Sequence, residues 1–197
     1  MIAFVEGAIA YKDPTHLIID VGGLGYEIKI SLNTYADIKD MDACKLYTHF
    51  HVKEDAQTLF GFSEEKEKKR FLELISISGV GPSTALMVLS SLSPEELQSA
   101  IINGDAKTIS SVKGIGQKTA QRIILELKDK MAKEGLLDRA VGISLVKDNT
   151  VRSEALSALA TLGINKSAAE KTVDQILKEN TGQVSLEELI KLALKRA

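Results

Sequence analysis

Two stretches of the chain decide its fold: SISGVGPSTALMVL at residues 76–89 and SVKGIGQKTAQRII at residues 111–124. A shift of 35 residues aligns them without a gap, and two glycines, a threonine and an alanine coincide. The apolar positions coincide as well, for example Ile77 with Val112. One Gly-apolar-Gly turn is common, but two at matched positions, each between helical patterns, indicate a repeated supersecondary unit.

The glycines of KGIGQKTAQRI (113–123) raise the question of a nucleotide-binding loop. A phosphate loop of the G-x-x-x-x-G-K-[ST] type needs Lys and Thr directly after its second glycine. Here Gln117 intervenes, no glycine stands five residues before Gly116, and no strand precedes. A dinucleotide fingerprint needs glycine or alanine at its sixth position and a preceding strand, whereas Thr84 and Thr119 stand there after helices. The sequence therefore excludes both nucleotide sites.

The pattern that remains is a helix–hairpin–helix unit in two copies. Glycine lets the backbone approach a ligand, and the N-terminus of the following helix presents N–H groups that favour a DNA phosphate. Lys118 and Arg122 lie four residues apart, hence on one helical face. A single copy is as well explained by a plain αα-hairpin, but two copies favour contacts to the DNA backbone, which are independent of base sequence. The predicted DNA-binding residues are Gly79, Val80, Gly81, Ser83, Thr84, Gly114, Ile115, Gly116, Gln117, Lys118, Thr119 and Arg122.

The composition is that of a globular protein, and it predicts no metal site and no cofactor. Of the 197 residues, 44% are apolar and 26% charged, which is typical of folded soluble chains. No apolar run reaches the length of a membrane span, and the N-terminal stretch lacks the basic start of a signal peptide. Cys44 is the single cysteine, so we expect no disulfide, no zinc site and no cofactor. We predict a cytoplasmic protein.

Residues 1–63 are predicted to form a five-stranded OB-like β-barrel. Five short runs rich in β-branched and aromatic residues are separated by turn signals such as Lys12-Asp13-Pro14 and Gly22-Gly23. A short helix is expected near residues 34–38. Five strands must hide their edges, and closure into a small barrel achieves this.

The rest of the chain is predicted to be helical. Residues 64–142 form the all-α domain that holds both hairpin units, with Ser63 as N-cap of its first helix and Ser93 with Glu96 as a capping box. Its Lys66, Lys68, Lys69 and Arg70 alternate with glutamates, which favours a solvated helix face. Residues 143–147 are predicted to be a flexible linker, and residues 148–197 a small three-helix, UBA-like domain.

The whole chain resembles the RuvA family of bacterial Holliday-junction recognition subunits. The stretches that carry this resemblance are DVGGLGYEI (20–28), THFHVKEDAQTLFGF (48–62), SGVGPSTAL (78–86) and KGIGQKTAQRIILELKDK (113–130). It implies a homotetramer that holds a four-way DNA junction open and square, with one tetramer or two face to face. It also implies a role in branch migration during recombination and in the repair of DNA damage (the SOS response), as a non-catalytic subunit of a helicase complex. The implied partners are the ATP-driven hexameric motor RuvB and, more loosely, the resolvase RuvC.

The resemblance assigns roles to residues for which the sequence pattern alone predicts none. Glu54 and Asp55 by themselves indicate a solvated turn. They match the acidic pin of the family, which lies at the junction centre. In the C-terminal domain we expect a motor-binding surface near the turn at 162–164 and the last helix; the candidates are Leu162, Ile164, Leu186 and Leu189.

The chain departs from the family where a lysine is usual after each hairpin, since it has Ser83 and Gln117 there. We therefore expect weaker and less salt-sensitive DNA binding per subunit. Two alternatives stay open. The first is a DNA glycosylase that uses Lys118 and Asp138, although one acid without pocket aromatics is weak support. The second is a scaffold that binds only proteins.

Overall fold

The computed structural model describes residues 1–140, 147–179 and 184–196. They divide into two compact units, Met1–Glu134 and Gly135–Ala197. Of the predicted linker, residues 143–146 lie outside the described residues, and Lys147 is the first residue of a helix. In the described ranges, no helix is both long and apolar enough to cross a membrane.

The first unit begins with the predicted five-stranded barrel. Strand β1 pairs with both β2 and β4, and the order β1-β2-β3-β5-β4 closes the barrel, so no strand edge is left free. The β3–β5 pair is parallel and the others are antiparallel. Apolar side chains that alternate along the strands, such as Leu17 and Ile19, fill the interior. The strands are β1 (Phe4–Lys12), β2 (His16–Val21), β3 (Leu24–Ile30), β4 (Ala43–Val52) and β5 (Gln57–Phe62), with helix α1 (Leu32–Ile38) between β3 and β4.

Five helices follow the barrel. The predicted capping box of α4 is present, because the Ser93 hydroxyl accepts from the Glu96 N–H and the Glu96 carboxylate accepts from the Ser93 N–H. The prediction for α2 was wrong: Glu64 is its N-cap, and the Ser63 hydroxyl instead donates to Asp37 at 2.6 Å. The helices are α2 (Glu65–Ile75), α3 (Pro82–Ser91), α4 (Pro94–Asn103), α5 (Ala106–Ser110) and α6 (Gln117–Ala140).

Strand β5 and the hairpin helices share one hydrophobic core, and the interior of the barrel forms a second, separate one. The ring of Phe71 on α2 lies 5.1 Å from that of Phe60 and 5.0 Å from that of Phe62, both on β5. The same cluster continues through the apolar residues of both hairpins. Buried Glu67 reinforces this junction, since it accepts hydrogen bonds from the hydroxyls of Ser31 and Thr34 on the barrel side. The first unit is therefore packed throughout, and the barrel positions the hairpins.

Arg70 does not lie on the solvated face that the sequence predicted. Its guanidinium is 2% exposed and donates to Glu73 at 2.7 Å, and Lys130 of α6 pairs with the same carboxylate at 3.0 Å. An unpaired charge at this depth would be strongly destabilising, so the pair is needed. Lys66 is more exposed and pairs with Glu95, in agreement with a surface position.

In the part of the second unit that the structure describes, three helices enclose a core of their own. The helices are α7 (Lys147–Thr161), α8 (Lys166–Glu179) and α9 (Leu186–Arg196). Gly163 follows α7 with a φ of 87°, a left-handed conformation that favours glycine. Ser185 caps the start of α9, because its hydroxyl accepts from the Glu188 N–H at 3.3 Å. Leu159, Val173 and Ile176 are fully buried between the helices.

Candidate nucleic-acid interface

The two predicted hairpins adopt the same turn. Gly79 has a φ of 93° and Gly114 a φ of 92°, which is the left-handed region that L side chains rarely occupy. In each hairpin the N–H of the next residue closes the turn: Val80 donates to the Ile77 carbonyl at 3.0 Å. The equivalent bond in the second copy is 3.1 Å long. The sequence repeat is therefore a repeat of backbone geometry.

The apolar residues between the glycines anchor the turns. Val80 and Ile115 are each only 5% exposed and belong to the shared core. Both were predicted to bind DNA, but with the side chain buried each can offer only its backbone to a ligand. Their burial fixes the flanking glycines at the surface.

Gly81 and Gly116 have no structural need to be glycine. Gly81 is extended, with φ −85° and ψ 167°, and Gly116 has no positive φ. A Cβ built on either residue would meet no atom of the protein within 4 Å. By contrast, a Cβ at Gly114 would approach Met87 to 3.3 Å. Gly81 and Gly116 therefore leave their backbone open to an approaching ligand.

The helices after the turns begin without an anion of their own. Gly81 is the N-cap of α3 and has no side chain to accept a hydrogen bond, and neither α3 nor α6 has an acidic residue in its first turn. The first N–H groups of a helix have no partner within the helix. The N–H groups of Ser83 and Thr84 thus remain available to an external anion, which the positive end of the helix favours.

The two copies differ in charge. Because α3 begins at Pro82 and α6 at Gln117, Ser83 occupies the position of Lys118, and Pro82 the position of Gln117. Ser83 and Lys118 are both exposed. Gln117 is held through its side-chain oxygen, which accepts from the Ser110 hydroxyl at 3.4 Å. One hairpin therefore has a cation beside its turn and the other has none.

Arg122 connects the two hairpins. Its Nε donates to the Glu126 carboxylate at 3.0 Å, and its Nη1 donates to the backbone carbonyl of Ser78, in the first hairpin, at 3.3 Å. Glu126 and Ser78 were missed at the sequence level. The i,i+4 spacing of Arg122 and Glu126 was a usable signal, but nothing local to Ser78 predicts a contact to a residue 44 positions away.

Glu54 and Asp55 occupy the tip of the β4–β5 turn. Residues 53–56 join the strands, and the Lys53 N–H donates to the Ala56 carbonyl at 2.8 Å. Both acidic side chains are exposed. Two carboxylates are thus displayed together at one end of the barrel, away from any core.

The motor-binding candidates differ in accessibility. Leu162 is 59% exposed, and Ile164 and Leu186 are half-buried against the core of the second unit. Leu189 is fully buried, so its side chain can act only through packing. Leu194, which the sequence did not single out, is 44% exposed on α9.

The described residues contain no group of three or more His, Cys, Asp or Glu side chains that could hold a metal ion. Asp138, the acid that the glycosylase alternative requires, belongs to the second unit, whereas Lys118 belongs to the first.

Comparison with known proteins agrees with the three parts of this fold. Residues 1–61 match the family model of the RuvA N terminal domain, residues 71–129 a SAM-like helix-hairpin-helix tandem, and residues 150–197 the RuvA C-terminal domain.

Full-length relatives extend this agreement, and each is named Holliday junction branch migration complex subunit RuvA. The protein from Cytophaga hutchinsonii is 57% identical over 99% of both chains. That from Amoebophilus asiaticus is 53% identical, over 99% of this chain and all of the relative. That from Christiangramia forsetii is 51% identical over the whole of both chains. With these relatives and with paired hairpins beside a closed barrel, the chain belongs to the RuvA family.

Proposed function

We propose that this chain binds four-way DNA junctions through phosphate contacts that do not depend on base sequence. It holds the junction open and recruits a RuvB-type ATP-driven motor for branch migration in recombination and repair. The chain itself is a non-catalytic subunit, and the motor hydrolyses ATP. Such a subunit acts where the chromosome lies, which in bacteria such as the named relatives is the cytoplasm.

One observation carries the DNA-binding part of this proposal: the unexplained glycines Gly81 and Gly116. Neither the backbone conformation nor packing requires glycine at these positions. Each precedes a helix whose first turn has no acid. A phosphate that approaches the backbone closely would account for both features, because a Cβ would block it and the free N–H groups would bind it.

The acidic turn supports a preference for an open junction. In a homotetramer, four copies of Glu54 and Asp55 would face one centre. Carboxylates and phosphates repel each other, so this cluster would oppose strands that stack across the centre. The chain has a net charge of only −2 and no strongly basic segment, so affinity must come from the hairpins.

The second unit provides the surface for the motor. Leu162 is an exposed large apolar side chain at the turn after α7, and Ile164 and Leu186 lie partly open. Exposed apolar side chains of this kind fit a protein partner better than a nucleic acid. A RuvC-type resolvase would contact the assembled complex, with one or two tetramers on the junction.

Fluorescence anisotropy with labelled DNA tests the junction proposal. The full chain is titrated against a four-way junction and against linear duplexes that contain the same arm sequences. A junction affinity at least tenfold higher than the duplex affinity supports the proposal. Equal affinities, cleavage of damaged duplex, or no binding would refute it, and native mass spectrometry of the same samples gives the number of subunits.

The motor surface is tested separately with Leu162→Glu. This change should weaken capture of a purified RuvB-type motor while junction affinity stays at the wild-type value. Capture equal to that of the wild type would exclude Leu162 from the surface.

A further inference from the structure

The guanidinium of Arg122 lies at the seam between the two hairpins. It is half exposed, at 53%, and Glu126 is 41% exposed. One contact reaches along its own helix, α6, to Glu126, and the other reaches to the Ser78 carbonyl in the first hairpin. Ser78 directly precedes Gly79. The side chain of Arg122, which follows the second turn, is therefore hydrogen-bonded to the start of the first turn.

The contacts leave donors free for a phosphate. An arginine side chain has five N–H donors, and Nε and one N–H of Nη1 are used here. The other N–H groups have no hydrogen-bond partner among the described residues. A planar guanidinium suits a phosphate because two parallel N–H groups can bind two oxygens. Arg122 can therefore bind DNA without releasing either protein contact.

We infer that Glu126 is a positioning residue for DNA binding. Together with the Ser78 carbonyl it orders Arg122, so that this one cation binds phosphate for both hairpins. This inference rests on the proposed function. The first hairpin, which has the neutral Ser83, would then use Arg122 of the second hairpin in place of a lysine of its own.

Glu126 has two opposing effects on the binding of a phosphate. Its oxygen orders a long side chain before DNA arrives, and ordering such a side chain upon binding has a free-energy cost. Its negative charge, in contrast, repels an incoming phosphate. Glutamine keeps an acceptor oxygen and removes the charge, whereas alanine removes both. The two substitutions at position 126 therefore separate positioning from electrostatics.

The experiment compares Glu126→Gln and Glu126→Ala with the wild type in junction-binding titrations at several salt concentrations. Glu126→Ala should bind about two- to tenfold more weakly per subunit. Its plot of log K against log salt should also be shallower, by about 0.9 for each phosphate that the variant no longer neutralises. Glu126→Gln should bind as tightly as the wild type or more tightly. Glu95→Ala is the matched control, because it removes another exposed ion pair, with Lys66, outside the hairpins.

A second background tests the route through Arg122. A methionine at this position has no N–H donor and can make neither contact, so in Arg122→Met the further change Glu126→Ala should no longer weaken junction binding. Equal strengthening by glutamine and alanine would show charge repulsion alone and overturn the inference. It would also be overturned if alanine changed only the melting temperature, or changed nothing. If the wild type itself shows no junction preference, the proposed function fails; if that preference holds and the glutamine–alanine contrast is absent, only the role of Glu126 fails.

Discussion

Replacing Gly81 by alanine separates a binding role of this glycine from a folding role. The backbone at Gly81 is extended, which any residue can adopt, and an added Cβ meets no protein atom within 4 Å. Alanine restricts the unfolded chain, which stabilises by about 0.4–1 kcal/mol. Alanine is a poorer N-cap than glycine by a similar amount. The free energy of unfolding should therefore change by less than about 1 kcal/mol.

Junction binding should respond very differently to Gly81→Ala. The new methyl group occupies the open approach to the turn, where the proposed phosphate contacts backbone N–H groups. A hydrogen bond to a charged group is worth about 1.5–3 kcal/mol, which corresponds to a loss of about 10- to 150-fold per subunit. Gly116→Ala should behave in the same way, because its surroundings are equally open.

Gly79→Ala is the contrasting variant. Its φ of 93° lies in the left-handed region, which costs a residue with a Cβ about 1–2 kcal/mol. This variant should therefore lose stability, whereas Gly81→Ala should not. Urea denaturation measures stability, and anisotropy with a labelled four-way junction measures affinity. Wild-type affinity in a folded Gly81→Ala protein would refute the idea that the turn backbone contacts phosphate.

Other parts of the molecule can be tested in the same assays. Ser83→Lys should steepen the salt dependence of junction binding by about 0.9 per subunit, whereas Ser99→Lys, an equal charge on α4, should not; identical slopes would contradict this. Replacing Glu54 by Gln and Asp55 by Asn should reduce the ratio of junction to duplex affinity in competition experiments. An unchanged ratio would exclude a role of these two carboxylates in junction preference. Burial raises the pKa of Glu67 above its ordinary 4.5, so this carboxyl group favours folding below that pH and progressively less as pH rises through the raised pKa. The unfolding free energy of the wild type minus that of Glu67→Gln should fall over this interval in urea titrations, and a rise would contradict the assignment.

The hairpins are alike in geometry and unlike in chemistry, and this difference shapes how the subunit would bind DNA. Both turns present open glycine backbones, but only the second has Lys118 beside it. In the proposed arrangement Arg122 would compensate in part, since it contacts the backbone of the first hairpin. The neutral Ser83 would thus not leave the first hairpin without a cation, because Arg122 of the second hairpin lies beside it.

The sequence by itself determined the local architecture. Strand alternation predicted the barrel, the 35-residue repeat predicted two equivalent turns, and the Ser93–Glu96 capping box was predicted to the residue. These features depend on residues a few positions apart, whose conformational preferences act before the chain is packed. The positions of the turn glycines follow for the same reason, because a turn is a local structure.

The tertiary structure alone decided which side chains are free to act. Arg70 and Leu189 are buried although the sequence suggested exposed roles. Ser63 binds Asp37 in place of its own helix, and Arg122 reaches the carbonyl of Ser78. Each of these outcomes depends on groups brought together from distant parts of the chain or on the closing of a core. Periodicity and spacing report which face a residue takes on its own element, but not what packs against that face.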